Sequence, residues 1–221
     1  MRKEERIQYA PDIRLLDIEC EAPGDWDAGD ATHIRVSVPA GYNSHCELLQ
    51  RGFHFVDRTL DVSINLLRSK QDYSALVRTE PILTGQRRSE VCRIAQQSFP
   101  TDRRFHLSVA PNQQLAGIVI ARWVDWLDDW YLIEHNGEAT GFLALTGDAQ
   151  QKFVHLAAVL EKFRASGAAM SLYAAAARDC KAAGARFLNG RVSSSNTAVM
   201  NLYAFLGGSF SNPMNVYLKE V

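Results

Sequence analysis

The sequence has no excess of either charge: 24 basic side chains stand against 25 acidic ones, a formal net charge of -1. That balance offers no sign of a nucleic-acid or acidic-membrane partner. The pairs Arg87-Arg88 and Arg103-Arg104 are too short to count as basic tracts. No run approaches the roughly 18 apolar residues of a membrane span. The opening MRKEERIQYA mixes both signs and holds no apolar core of signal-peptide length, so cytoplasmic residence is expected. Cysteine is sparse. Cys20, Cys46, Cys92 and Cys180 form no C-x-x-C pair and no metal half-site with a histidine, so reduced thiols and no metal are expected.

What is present can build a core: 47% of the 221 residues are hydrophobic, enough for one large domain or two small ones. Ile13 to Ile18 reads as a short strand, and Pro23 to Gly29 as a loop. Thr32 to Val38 alternates like a half-buried strand. A short helix capped by Asn43 or Ser44 runs through Leu49 to Gly52, and FHFVDRTLDVSINLL is again strand-like. The order helix, Gly, strand recurs at the C-terminus, where AFLGGSF and MNVYL resemble LLQRGFHF and LDVSI. That echo is either a degenerate internal copy or two ordinary helix-Gly-strand joints.

A second section opens near Tyr73, with a strand at Leu76 to Glu80 and a helix from an N-cap at Ser89 through Phe99. QQLAGIVIARWVDWL reads as a further helix with a core-facing side. Trp130 to Glu134 and Ala139 to Leu145 form a hairpin about Asn136-Gly137, because that pair tolerates the positive φ of a tight turn. Then come a strand at Phe153 to Val159, a helix at Gly167 to Ala183, a strand at Ala185 to Val192, a helix at Asn196 to Leu206 and a last strand around Val216 to Leu218.

Two places in this last section carry chemistry. Arg164, Ala165, Ser166, Gly167, Ala168 and Ala169 turn directly into a helix. Backbone N–H groups converging there make an anion site, and Gly167 puts no Cβ in the way of a phosphate, so a diphosphate would suit it. A structural loop-helix joint would read the same way. Seven residues separate Asn196 from Tyr203, about two turns, which puts both on one helix face. The alternative is a plain N-cap and a core aromatic.

Together these pieces resemble the GCN5-related N-acetyltransferase superfamily. Its cofactor motif Q/R-x-x-G-x-G/A is met by Arg164, Gly167 and Ala169, and its Asn-x-x-Ala-x-x-x-Tyr pattern is approximated by Asn196 and Tyr203, with Ala198 beside the usual spacing. The order of elements matches over residues 74 to 221, about two-thirds of the chain. The resemblance implies an α/β fold: a mixed, mostly antiparallel central sheet flanked by helices, with a smaller partial N-terminal unit. Residues 1–72 are the expected N-terminal unit and 73–221 the expected acetyl-CoA-binding domain. A finer likeness is to the dTDP-fucosamine acetyltransferase type, on chain length, the helix-Gly-Phe-strand joint and SFPTDRRFHLS before a Trp-bearing helix. The chain departs from the pattern in Ala168-Ala169, where many relatives carry further glycines.

The resemblance further implies acetyl-CoA as donor and transfer of an acetyl group to a primary amine. The acceptor would be a small molecule, with a dTDP- or other nucleotide-linked amino sugar as the finer expectation and a homodimer as an option. Leu156, Ala157, Ala158 and Val159 would align the pantetheine arm and supply an oxyanion-binding N–H. Arg164 to Ala169 and Asn196 would hold the rest of the cofactor, and Tyr203 would protonate the departing thiolate. A phenol near pKa ~10 does so only as a positioned hydrogen-bond donor. His155, His106 and Glu161 are the candidates for the base, with a water chain as the alternative. Arg103, Phe105 and His106, with Asp102 and Arg104, would meet the acceptor, an arginine pairing with a diphosphate and a ring stacking on a base. A different small amine, a polyamine, a protein N-terminus, or acyl-CoA sensing without turnover remain open.

Overall fold

The structure is a computed structural model, and it describes residues 3–10, 13–41, 45–68, 77–80, 85–99, 127 and 129–221. The N-terminal part holds β1 (Lys3–Ala10), β2 (Ile13–Glu19), β3 (His33–Pro39), α1 (His45–Gln50) and β4 (His54–Asn65). Next come β5 (Val77–Glu80), α2 (Gly85–Ser98), β6 (Asp129–His135), β7 (Glu138–Gly147) and β8 (Gln151–Val159). A 3-10 helix (Glu161–Ser166), α3 (Ala168–Ala182), β9 (Phe187–Ser193), α4 (Thr197–Phe205) and β10 (Gly208–Glu220) complete the described elements. The expected helix at QQLAGIVIARWVDWL lies, but for Leu127, outside the described residues.

All the described strands join one ten-stranded sheet in the order β1-β2-β3-β10-β4-β9-β8-β7-β6-β5. Only β2 with β3 and β8 with β9 run parallel, so the sheet is mixed and mostly antiparallel, and the fold is α/β. The β6–β7 hairpin turns on Asn136 and Gly137 at φ 53 and 82, the two positive values a tight hairpin requires.

Six central strands repeat a pattern from either side. In β2-β3-β10-β4-β9-β8, each half contributes a parallel pair, and each half's last strand lies against the other half's pair. The joints α1–Gly52–β4 and α4–Gly207–β10 match, with φ of 82 and 80 at the glycines. The two joints are thus alike in structure as in sequence, and β4, from before the expected division at 72/73, separates β9 from β10. The halves differ where β2 and β3 stay paired from Leu15↔His33 to Glu19↔Ser37.

The sheet is covered on both faces. Alternate residues of β7 point to opposite sides: Phe142 and Ala144 pack with Val91, Ile94 and Ala95 of α2, while Leu143 and Leu145 pack with Leu172, Ala175 and Ala176 of α3. A third core joins Leu48 of α1 and Phe53 to Leu16, Ile18, Val36, Val38 and Tyr217. The sheet also curls. Arg191 of β9 reaches Glu19 of β2 at 2.7 Å, although a flat sheet would set strands four places apart at about 19 Å.

Two expectations change. Helix α2 begins at Gly85, four residues before the expected cap, so Ser89 lies inside it. Buried Glu90 accounts for the extra turn: it accepts from Gln86 Nε2 at 2.9 Å, Arg87 Nη1 at 2.8 Å and the Ala139 N–H at 3.3 Å. Burial works against its charge, yet those bonds hold its carboxyl below the ordinary value. The charged opening segment, read as no element from sequence, is the edge strand β1, paired with β2 from Lys3↔Glu19 to Ala10↔Ile13. Charged side chains suit an edge, where they discourage further pairing.

Candidate active site

Strands β8 and β9 pair only from Gln151↔Phe187 to Val154↔Gly190 and then part. The cause lies partly in β8. Its register with β7 passes from Leu145↔Val154 to Ala144↔Leu156, leaving His155 unmatched in a bulge, and a bulge turns and twists its strand. Beyond it, Leu156, Ala157, Ala158 and Val159 remain paired with β7 but no longer face β9. Along the opening, Ala157 and Val159 turn their backbone groups away from β7 with no strand partner among the described residues, the Val159 carbonyl being taken by Arg164, and an extended amide-bearing chain can join such an edge.

At the outer end of β8 stands the segment Arg164 to Ala169, expected to bind an anion. The sequence placed a plain loop here; the structure coils it into a 3-10 helix that ends at Gly167, φ 80, the N-cap of α3. No side chain caps α3, so its first backbone N–H groups have no acceptor within the helix. A Cβ built on Gly167 would meet nothing within 4 Å beyond its chain neighbours among the described residues, so the space beside this turn is open. Arg164 Nε donates to the Val159 carbonyl at 3.1 Å, tying the coil to the end of β8. Ser166 Oγ donates to the Phe163 carbonyl at 2.7 Å. Ala165, Ser166 and Gly167 are exposed, and Ala168 is buried as the helix begins.

Helix α4 begins at the same opening. Asn196 is its N-cap, accepting from the Val199 N–H at 3.2 Å. The turn before it is pinned: Ser193 Oγ donates to the Asp57 carboxylate at 2.8 Å, and Ser195 N donates to Ser193 Oγ at 3.2 Å. Asp57, in β4, is only 6% exposed. Two turns along α4, Tyr203 is 2% exposed, in edge-on contact with the Tyr173 ring at 5.1 Å between centroids. Its hydroxyl lies against Gly190, the last β9 residue paired with β8. Both features named as the plain alternative, a cap and a core aromatic, are therefore present, and the phenol's tip still reaches the point where the strands part.

Other expected residues separate. His155, in the bulge, packs its ring on Phe153 at 5.0 Å between centroids. Glu161 is exposed at the far end of β8. Arg103, Phe105 and His106, with Asp102 and Arg104, lie outside the described residues. Sequence reasoning missed Asp57, Ser193 and Gly190. Only Gly190 carried a signal, since a glycine within a strand marks a close approach. On the face turned away from α3, Arg191 joins Asp61 at 2.8 Å and Glu19, and Asn212 Nδ2 donates to Asp61 at 3.0 Å. A cavity of about 290 Å³ lies off the opening, beyond the end of β8, lined by Arg93, His135, Glu138, Lys162 and Phe163 among others. Among the described residues, no group of three His, Cys, Asp or Glu side chains could hold a metal ion, and no helix is long and apolar enough to cross a membrane.

A free strand edge leading to an uncapped, open helix N-terminus fits a ligand with an extended amide arm and a diphosphate, which is the build of acetyl-CoA. Solved structures share the fold. A GCN5-related N-acetyltransferase from Sphaerobacter thermophilus matches at TM-score 0.65 with 14% identity, over 99% of this chain and 76% of its own. One from Kribbella flavida matches at 0.58 with 13% identity, over 98% and 89%. A tandem GNAT protein from the clavulanic acid biosynthesis pathway matches at 0.54 with 13% identity, over 86% and 65%. No curated protein matches the sequence. The family model described as acetyltransferase (GNAT) family matches residues 88–207, more than half of the chain, so the chain belongs to that family of acyltransferases.

Proposed function

We propose that this protein transfers the acetyl group of acetyl-CoA to a primary amine at the parting of β8 and β9. The observation that carries the reading is the alignment of three features along one opening: the free edge of β8, the uncapped N-terminus of α3 and the Tyr203 hydroxyl. Leu156, Ala157, Ala158 and Val159 would hold the pantetheine arm and present an N–H to the thioester oxygen. Arg164, Ala165, Ser166, Gly167, Ala168 and Ala169 would hold the diphosphate, with Asn196 across the opening. Bound there, acetyl-CoA would supply an acyl group activated as a thioester. As the amine nitrogen bonds to the carbonyl carbon and the carbon–sulfur bond breaks, Tyr203 would give its Oη proton to the sulfur and regain one lost by the amine, passed through water.

For the acceptor, the amino group of a nucleotide-linked sugar is the finer reading, with Arg103, Phe105 and His106 as its contacts. It rests on the likeness to the dTDP-fucosamine acetyltransferase type. The N-terminal unit, residues 1–72, would serve as scaffold: among the described residues β2 and β3 stay paired from Leu15↔His33 to Glu19↔Ser37, and one acetyl-CoA per chain is expected. Free thiols at Cys20, Cys46, Cys92 and Cys180 accord with work in a reducing cytoplasm.

One observation favours a second reading. Tyr203 is buried in an apolar cluster, as a purely structural tyrosine would be, which suits a sensor that binds acyl-CoA without turnover. Calorimetry with acetyl-CoA, followed by a thiol-release screen over amino sugars, sugar nucleotides, polyamines and peptides, separates the two. Binding with release on a sugar nucleotide supports the first reading in full. Release on a polyamine or peptide instead replaces the acceptor, and tight binding with no release on any amine supports the sensor.

A further inference from the structure

Gly190 sits inside β9, where a glycine weakens the strand, and its φ lies outside the left-handed region, so the backbone does not require it. Its surroundings do. A Cβ built there would stand 2.6 Å from Tyr203 Oη, while the next atoms, Tyr203 Cζ and Val62 Cγ1, are both at 3.4 Å, an ordinary contact. The one severe overlap is with the hydroxyl oxygen. The phenol cannot easily retreat. Its ring is held edge-on by Tyr173, and the Tyr203 carbonyl lies so close to Gly208 that a Cβ there would be 2.9 Å away. Gly190 is also the last β9 residue to pair with β8.

We infer that Gly190 is a positioning residue: the space left by its missing side chain seats the Tyr203 hydroxyl at the apex of the β8–β9 opening. A methyl group at 190 would drive the hydroxyl off the apex, out of line with a leaving sulfur. The inference rests on the reading of Tyr203 as the proton donor, but the contact itself can be tested without it.

The experiment is a double-mutant cycle with Gly190→Ala, Tyr203→Phe and the pair, reading thermal midpoint, acetyl-CoA affinity and kcat on the acceptor found by the screen. Tyr203→Phe should lower kcat about 100-fold, the scale of a lost proton donor. Gly190→Ala should lower it at least about 10-fold, since a displacement near 1 Å costs up to about 100-fold. Acetyl-CoA affinity should stay within about 3-fold in both. Because the overlap is with the oxygen alone, Gly190→Ala should drop the midpoint by about 5 °C in the wild type and by far less beside Tyr203→Phe. The double variant should be no slower than Tyr203→Phe alone.

Independent, additive losses in both midpoint and kcat would overturn the inference, as would full turnover by Gly190→Ala when Tyr203→Phe is impaired. Unchanged turnover in Tyr203→Phe would instead sink the donor role, and the midpoints would still decide the contact. Should Gly190→Ala not fold, recovery of folding in the double variant supports the contact, and failure of both overturns it.

Discussion

Gly167→Ala isolates the anion loop, provided its two effects are separated. The residue has φ 80, and an L side chain there costs about 1–2 kcal/mol of backbone strain. Beyond its chain neighbours, no atom of the described residues lies within 4 Å of the new methyl, so backbone strain is the main folding cost. At roughly 2–4 °C per kcal/mol for a chain of this size, the midpoint should fall by about 2–8 °C. Gly184, at the other end of α3, is an internal control: its φ is 92, and its Cβ would likewise meet nothing within 4 Å. The two glycines are separated by a 15-residue helix, about 22 Å long. Both variants should lose similar stability. Only Gly167→Ala should lose acetyl-CoA affinity, by at least about 10-fold or about 1.4 kcal/mol, because its methyl fills the approach to the helix N–H groups. Scanning fluorimetry supplies the midpoints and titration calorimetry the affinities. Equal affinity in the two variants would refute the loop's assignment.

Gly147→Ala should be far worse for folding than either of these, with a midpoint loss above about 6 °C. Its Cβ would lie 2.2 Å from the Gln151 carbonyl oxygen, a backbone atom at the start of β8 held by its pairing with β9; a wild-type midpoint would contradict this. His33 should make folding acid-sensitive. Burial pushes its pKa down against the opposing pull of Glu220, and Nε2 has no partner among the described residues. A base with a depressed folded-state pKa contributes stability fully present above its unfolded value, near 6.5, and lost as the pH falls through that value. The midpoint lost between pH 7 and pH 5 should therefore shrink in His33→Gln, and equal losses would exclude the residue.

Local features were legible in the sequence because neighbours decide them. Asn136-Gly137 marks its hairpin through backbone freedom alone, and Gly167 and Asn196 mark helix starts by their own chemistry. Features set by distant partners were not. Nothing near residues 54–65 shows that this strand would separate β9 from β10, since the pairing is long-range. The edge strand Lys3–Ala10 hides behind charges that suit an edge, and the early start of α2 depends on Glu90 meeting the Ala139 N–H, 49 positions away. Within the site, the segment proposed to hold the cofactor was singled out from a motif. Gly190 and Asp57 acquire meaning only when Tyr203 and Ser193 are folded against them.

Amide hydrogen exchange with and without saturating acetyl-CoA tests the cofactor's placement most directly. Exchange should slow at Ala157 and Val159, whose N–H groups on the β9 side gain a partner, and at Ala168, Ala169 and Met170, where the uncapped N–H groups gain an acceptor. Slowing confined to other segments, with both of these unchanged at full occupancy, would contradict a cofactor seated between β8 and β9.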